Sequence, residues 1–453
     1  MKRVICLLLC VLLLLSGCAG GAEEITPSTS ETTLTAAQGG QIGSVASRRQ
    51  LVVNYMRSML TVKWTTDETI TYSLKSPSWG PDSDGKSYKV TLYAGRVYQG
   101  IPYTHGDGAG YSFLLLDEDG KPDSSGVYEL SGLTAEALTG YPAGYMSTSK
   151  GDPQYNVSRL GSDCADAVYW AWAQISSSIT FESTRHMTKY NGCVYIGDYD
   201  MFGWDDYNGT GQFPVSGAGT THNNVCVKNG KETMYKAYSL VQLGDALVYR
   251  ANSNDGHVVM VSDVHVEYNA DGTVNAEKSY VLTLDQTSTL EKKQNVIENG
   301  VYVLEKLDKK RTFAELFEDG YLPMSCEELL DTTSLAGDGV ADSRKNAAFT
   351  RDTMFSGNVT ANYRIAYVTV TITNKSTGEK LEITCFNRQE TMDKAPGKDT
   401  FELERFRNAY EQAVLLGGTI EDINGLAEGN YHCTLACRLS NGNIVTFREF
   451  DFS

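Results

Sequence analysis

Basic charge, long apolar runs and paired cysteine motifs are all in short supply. There are 39 Lys and Arg against 56 Asp and Glu, so the formal charge is −17. No basic stripe compensates, and nucleic acid is excluded as a partner because such a surface repels phosphate backbones. Proline is scarce too, 10 in 453 residues, with 41% hydrophobic and 21% charged residues. Apolar content is too high and charge too dispersed for a disordered chain. No segment after the N-terminus offers the ~20 apolar residues of a spanning helix. There is no CxxC pair, and no Cys/His cluster has zinc-ligand spacing. Internal repeats are absent. At roughly 100–200 residues per domain the length suggests two or three domains, with ample chain for a core.

The N-terminus sets the expected compartment. Lys2-Arg3 precede an apolar run, Val4 to Leu15, too short to span a bilayer. It ends in Leu15-Ser16-Gly17-Cys18, which resembles a bacterial lipobox. That resemblance implies a signal peptide over 1–17 and a lipid on Cys18. Residues 18–45 read as a flexible tether. The protein is therefore expected outside the cytoplasm, held at a bacterial cell membrane by its N-terminal lipid. Of the ten cysteines, Cys6 and Cys10 leave with the signal and Cys18 takes the lipid. Seven remain: Cys164, Cys193, Cys226, Cys326, Cys385, Cys433 and Cys437. An odd number leaves at least one thiol over if the rest pair within the chain. Cys433 and Cys437 lie about 13 Å apart on one strand face at ~3.3 Å per residue, so they cannot bond to each other. Either could meet Cys385 across strands.

Ala46–Lys63 carries Leu51, Val52, Tyr55, Met56, Met59 and Leu60 at helical spacing. From Tyr72 to about Lys306 the pattern is mixed. A strand is expected at Tyr88–Tyr98, a helix after Cys164, several strands from Asp245 to Val303, and loops over Tyr190–Asn224. Thr312–Phe317 and Cys326–Leu330 read as helical turns before a polar linker at 331–350. Beyond it, over 351–453, strands dominate: Ile365–Ile372, Lys380–Phe386, and a hairpin of Asn430–Leu439 with Asn443–Phe452 around Ser440-Asn441-Gly442. Only Glu402–Leu416 looks helical. A small β-sandwich of the immunoglobulin-like kind is the simplest home for that pattern.

The segment Gly161–Gln174, GSDCADAVYWAWAQ, carries the chemistry. Ser162 or Asp163 can cap a helix beginning near Cys164, with Val168, Ala171, Trp172 and Ile175 as its buried stripe. A cysteine in the first turn has its thiolate favoured by unpaired N–H groups and the helix dipole. The plain alternative is a buried structural cysteine. Among six histidines, His257 is best placed, following Leu243–Tyr249 in a strand, loop, strand pattern and standing at the mouth of the second strand. There it can take the thiol proton and return it to a leaving amine. Val258–Tyr268 and Val274–Gln286 flank Asp271-Gly272, a two-residue hairpin signal. If that turn is the centre, His257 lies opposite Gln286. A carboxylate better stabilises an imidazolium, and a single bulge would bring Asp285 round instead. Both remain candidates.

Asp163-Cys164-Ala165-Asp166-Ala167-Val168, then Gly244-Asp245, then Gly256-His257-Val258 resemble the NlpC/p60 papain-like cysteine peptidases of bacterial cell walls. The related CHAP amidases carry an acidic residue where Asp285 stands. The resemblance implies Cys164 as nucleophile, His257 as base, Asp285 or Gln286 as third group, and Tyr103 of Gly100-Ile101-Pro102-Tyr103 beside the nucleophile. It covers about Tyr88–Gln286. It departs where Ser-Gly usually follows the cysteine, here Ala165-Asp166, and in the long spacing from Tyr103 to Cys164. What it implies is a papain-like α+β catalytic domain over 46–330 that hydrolyses amides in peptidoglycan stem peptides without a cofactor. The aromatic loop Tyr195–Tyr207 either lines a cleft or anchors the chain. The rival readings are a papain-like amidase or acyl transferase on another substrate, and a non-catalytic lipoprotein that binds wall fragments or a protein partner.

Overall fold

Helix α1 (Val45–Thr61) forms where apolar residues recur at helical spacing, and it buries Val52, Val53, Met56, Met59 and Leu60. The computed structural model describes residues 45–61, 63–66, 69–73, 89–100, 103, 129–133, 162–176, 179, 184–204, 222–250, 256–287, 297–303, 306–330, 337–386, 399–403, 414–415 and 426–453. The signal sequence, Cys18 and most of the tether lie outside these residues, as does most of the stretch between Tyr103 and Cys164. All but the first forty residues belong to one compact unit, Gln41–Ser453. Helices and antiparallel sheets are mixed along it, and two hydrophobic clusters form its cores. Among the described residues no helix is long and apolar enough to cross a membrane.

The first cluster is built on a six-stranded sheet of β1 (Cys193–Tyr195), β2 (Ala246–Arg250), β3 (Gly256–His265), β4 (Tyr280–Asp285), β5 (Lys306–Thr312) and β6 (Leu322–Cys326). Its order is β5-β4-β3-β2-β6-β1, with every pairing antiparallel. Helix α2 (Cys164–Trp172) packs against α1 and β3. Helices α3 (His222–Asn229), α4 (Lys231–Tyr238), α5 (Phe313–Asp319) and α6 (Glu327–Leu330) complete the layer. Helix α5 starts at a capping box: Thr312 Oγ1 accepts the Glu315 N–H at 3.2 Å, and Glu315 Oε2 accepts the Thr312 N–H at 2.7 Å. Cys326, expected in a helical turn, ends strand β6 instead. Tyr88–Tyr98 is likewise not one strand, because a turn at Ala94-Gly95, with Gly95 at φ +72°, separates Lys89–Leu92 from Tyr98–Gln99.

The second cluster joins a three-stranded sheet to a five-stranded one. Its strands are β7 (Ala341–Asp342), β8 (Asn358–Ala361), β9 (Ile365–Asn374), β10 (Lys380–Phe386), β11 (Asp399–Glu402), β12 (Val414–Leu415), β13 (Tyr431–Leu439) and β14 (Ile444–Phe452). The orders are β7-β8-β11 and β12-β10-β9-β13-β14. Part of the expected linker is thus a strand, and its Asp342 forms a buried ion pair with Arg448 at 2.6 Å. Glu402–Leu416 was expected to be helical, but its described ends are strand, Glu402 in β11 and Val414-Leu415 in β12; residues 404–413 lie outside the described set. Cys385 cannot meet Cys433 or Cys437, because β9 runs between their strands and its Val368 faces both Cys385 and Cys437. This core meets the first at the end of α2. Ser440 Oγ donates to Gln174 O at 2.8 Å, and the Arg364 guanidinium sits 5.2 Å from the Trp170 ring centroid.

Candidate active site

Of the two possible caps, Asp163 starts α2. It is extended at φ −92° and ψ −176°, and its Oδ1 accepts the N–H groups of Ala165 at 2.8 Å and Asp166 at 2.9 Å. All of the helix except Asp166 is buried. Its far end is tied to the sheet by Trp172 Nε1, which donates to Gly244 O at 2.8 Å. Gly244 has φ +80°, and a Cβ there would stand 3.3 Å from Arg49 O. The next residue, Asp245, is fully buried. Its Oδ1 accepts from Arg49 Nη1 and Ser325 Oγ, both at 2.7 Å, and its Oδ2 from the Gln242 N–H at 2.7 Å. The Gly-Asp pair is therefore a structural node that fixes α1 and α2 on the sheet.

Cys164 is buried, with the residue 5% exposed. Tyr103, 61 residues upstream, bridges Ser162 in parallel and directs its hydroxyl at Cys164 Sγ over 4.0 Å. The Val258 backbone lies near enough to the sulfur to pull its pKa down. The thiol pKa is nonetheless pushed up to about 12, chiefly by burial and then by the Asp163 carboxylate, against the pull of the Val258 backbone and the Tyr103 hydroxyl. This reverses the expectation of an acidic thiol. The helix start does supply donors, but the carboxylate that caps it takes two of them and adds a negative charge.

His257 stands across from Tyr249 of β2 and is partly exposed. Its pKa is pushed down to about 4, first by burial; Asp285 opposes this, while Arg311, Lys306 and Lys309 add to it. Near neutral pH the thiol and the imidazole are thus both uncharged. Among the described residues no hydrogen bond joins Cys164 to His257.

The hairpin between β3 and β4 decides which polar residue shares a face with His257. Its tip has three residues, not two: the Asn269 N–H donates to Thr273 O at 2.8 Å, the Gly272 N–H to Asn269 O at 3.0 Å, and Gly272 has φ +84°. A register shift between Val261 and Asp263 follows. Beyond it Met260 faces Leu284 and Val261 faces Thr283. Continued along the strands, this register sets Asp285 across from Val259 and Gln286 across from Val258. Asp285 therefore lies on the sheet face of His257, and Gln286 on the other. Gln286 Nε2 donates to Ser162 O at 3.1 Å, bracing the residue before the cap. The Asp285 carboxylate accepts from Arg311 Nη2 at 2.6 Å and Thr283 Oγ1 at 2.9 Å, so it acts on His257 through its field. Arg311 was not anticipated; it comes from the charged strand KLDKKRT, whose only signal was a run of cations on a sheet edge.

The described part of the aromatic loop is packed. Tyr195 Oη donates to Met187 O at 2.9 Å and Tyr199 Oη to Pro323 O at 3.5 Å, while Met201 and Trp204 are buried; residues 205–207 lie outside the described set. Among the described residues no group of three His, Cys, Asp or Glu side chains is placed to hold a metal ion. The chain matches no family model and no curated protein.

Proposed function

We propose that this chain is a cysteine hydrolase of papain-like α+β design, anchored by a lipid on Cys18, that cleaves amide bonds in peptidoglycan stem peptides. The observation that carries the reading is the convergence on Cys164 Sγ of two distant elements, the Tyr103 hydroxyl and the backbone of Val258, the residue after His257. In this reading residues 351–453 form an immunoglobulin-like domain behind the catalytic one.

The reaction follows from the electrostatics. In this reading a neutral imidazole serves a neutral thiol by general-base catalysis: His257 takes the proton as Sγ adds to the carbonyl carbon. His257 shares its sheet face with Asp285, whereas Gln286, bonded to Ser162 beside the cap, lies on the other, so in this reading the start of β3 must rearrange when substrate enters to bring the imidazole to Cys164. The oxyanion is held by the Cys164 N–H, which the Asp163 cap does not take, and by the Tyr103 hydroxyl. Asp285 steadies the imidazolium from the same sheet face, and Gln286 holds the cap loop. His257 then protonates the leaving amine, and water releases the acyl group from Cys164.

The test is hydrolysis of purified stem peptides followed by mass spectrometry. Cleavage that disappears in Cys164→Ala and in His257→Ala, with both variants folded, is expected. Intact peptides with the unaltered chain would overturn the substrate. A second reading, a non-catalytic lipoprotein that binds wall fragments, draws on the burial of Cys164 and its high pKa. It predicts binding of the same peptides without cleavage, unaffected by Cys164→Ala.

A further inference from the structure

Cys193 and Cys326 face each other directly across the antiparallel pair β1 and β6. The hydrogen-bond phase of that pair can be read from its other end. The Ile196 N–H donates to Pro323 O at 2.9 Å, which makes that position a hydrogen-bonded one. Such positions alternate along an antiparallel ladder, so Cys193 and Cys326, three steps on, occupy a non-hydrogen-bonded position. The Cys193 N–H agrees, donating to Thr188 O at 3.1 Å and not to the facing strand. At non-hydrogen-bonded positions the Cα atoms stand about 4.5 Å apart, inside the ~4.4–6.8 Å range that a disulfide spans. Both residues are buried, at 1% and 0% exposure, so their side chains are packed together beneath the sheet edge. Cys226 is engaged elsewhere, its sulfur 3.8 Å from Tyr238 Oη and 3.7 Å from Tyr321 O.

We propose that Cys193 and Cys326 close a disulfide, by exchange with a small disulfide such as oxidised glutathione, and that the bond fastens the edge strand β1 to β6. One thiolate attacks a glutathione sulfur and releases one glutathione. The second attacks the protein-side sulfur of the mixed disulfide and releases the other. Two protein thiols are oxidised, one glutathione disulfide is reduced, and the two thiol protons pass to the departing glutathiones. Burial pushes the Cys193 thiol up to about 12 and raises Cys326 too. Exchange needs a thiolate, so the bond forms before the sheet packs and is shielded from external thiols afterwards. The inference is independent of the hydrolase reading.

The test refolds the full reduced chain in mixed oxidised and reduced glutathione, blocks free thiols with iodoacetamide in denaturant, and maps peptides without reduction. A cross-linked peptide containing Cys193 and Cys326 is expected in most molecules. Alkylated or glutathione-bound Cys193 and Cys326, or either one joined to another cysteine, would overturn the proposal. A second readout is stability. Reduction should lower the Tm by about 5 °C or more in the unaltered chain and leave the Cys193→Ser/Cys326→Ser double variant unmoved. An equal shift in both would also overturn it.

Discussion

Arg49→Met isolates the buried node that joins α1 to the sheet at Asp245. Arg49 donates to Asp245 Oδ1 and to Leu243 O at 2.7 Å, and to Leu329 O at 2.8 Å, the first and last of these bonds buried. Methionine keeps much of the volume but leaves the Asp245 carboxylate buried without its cation. Breaking a buried pair on one side costs about 3–5 kcal/mol. The sign of the pH dependence follows from Asp245 itself. Burial raises its pKa above the ordinary 3.8, with Arg49, Ser325 and the Gln242 N–H pulling it back. The folded state therefore binds that proton more readily than the unfolded chain, and stability falls as pH rises from the unfolded to the folded value. Removing Arg49 raises the folded value further, so the loss is largest near pH ~7 and shrinks towards pH ~5, by at most about 1.4 kcal/mol per unit. Adding Asp245→Asn, whose amide oxygen can accept the Gln242 N–H while its Nδ2 donates to Ser325 Oγ, should recover more than half the loss. Urea unfolding at the two pH values is the assay. A loss below about 1 kcal/mol, or one identical at both pH values, would refute the argument.

His257 should cost stability in acid: its folded pKa of about 4 lies below the ordinary 6.5, so stability is full above the unfolded value and falls by up to roughly 3 kcal/mol as pH drops to the folded one, a slope His257→Gln should flatten in acid unfolding curves. Asp285→Asn removes the carboxylate that lifts that pKa and leaves Arg311 uncompensated, so the imidazole should titrate lower still by NMR, with about 3 kcal/mol lost from the broken pair. Tyr103→Phe deletes the hydroxyl at Cys164 Sγ and should slow alkylation of that thiol by about two- to tenfold, at ~0.5–1.5 kcal/mol per hydrogen bond; an unchanged rate would remove Tyr103 from the site.

What the sequence made legible was periodic. The apolar spacing of α1, the cap and stripe of α2, and the strict alternation of β13, with Tyr431, Cys433, Leu435, Cys437 and Leu439 all buried, are local patterns with one physical solution. Strand β5 was hidden because KLDKKRT carries four cations on a sheet edge, where pairing with β4 and not apolar alternation makes the strand. The choice between Asp285 and Gln286 turned on a register shift at Ser262, and parity reverses with one inserted residue. The thiol pKa escaped for a different reason. Burial of Cys164 and the placement of the Asp163 charge are tertiary facts, and together they outweigh a helix start that alone favours the thiolate.

The rate of Cys164 alkylation by iodoacetamide against pH, in the unaltered chain and in His257→Ala, tests the proposed pair most directly. With imidazole as general base, the unaltered chain should react at a nearly constant rate above the His257 pKa of about 4 and well below the thiol value of about 12. His257→Ala should be slower throughout that window, climbing about tenfold per pH unit as only the ionised thiol reacts. Two coincident profiles, both climbing in that way, would show that His257 does not serve Cys164.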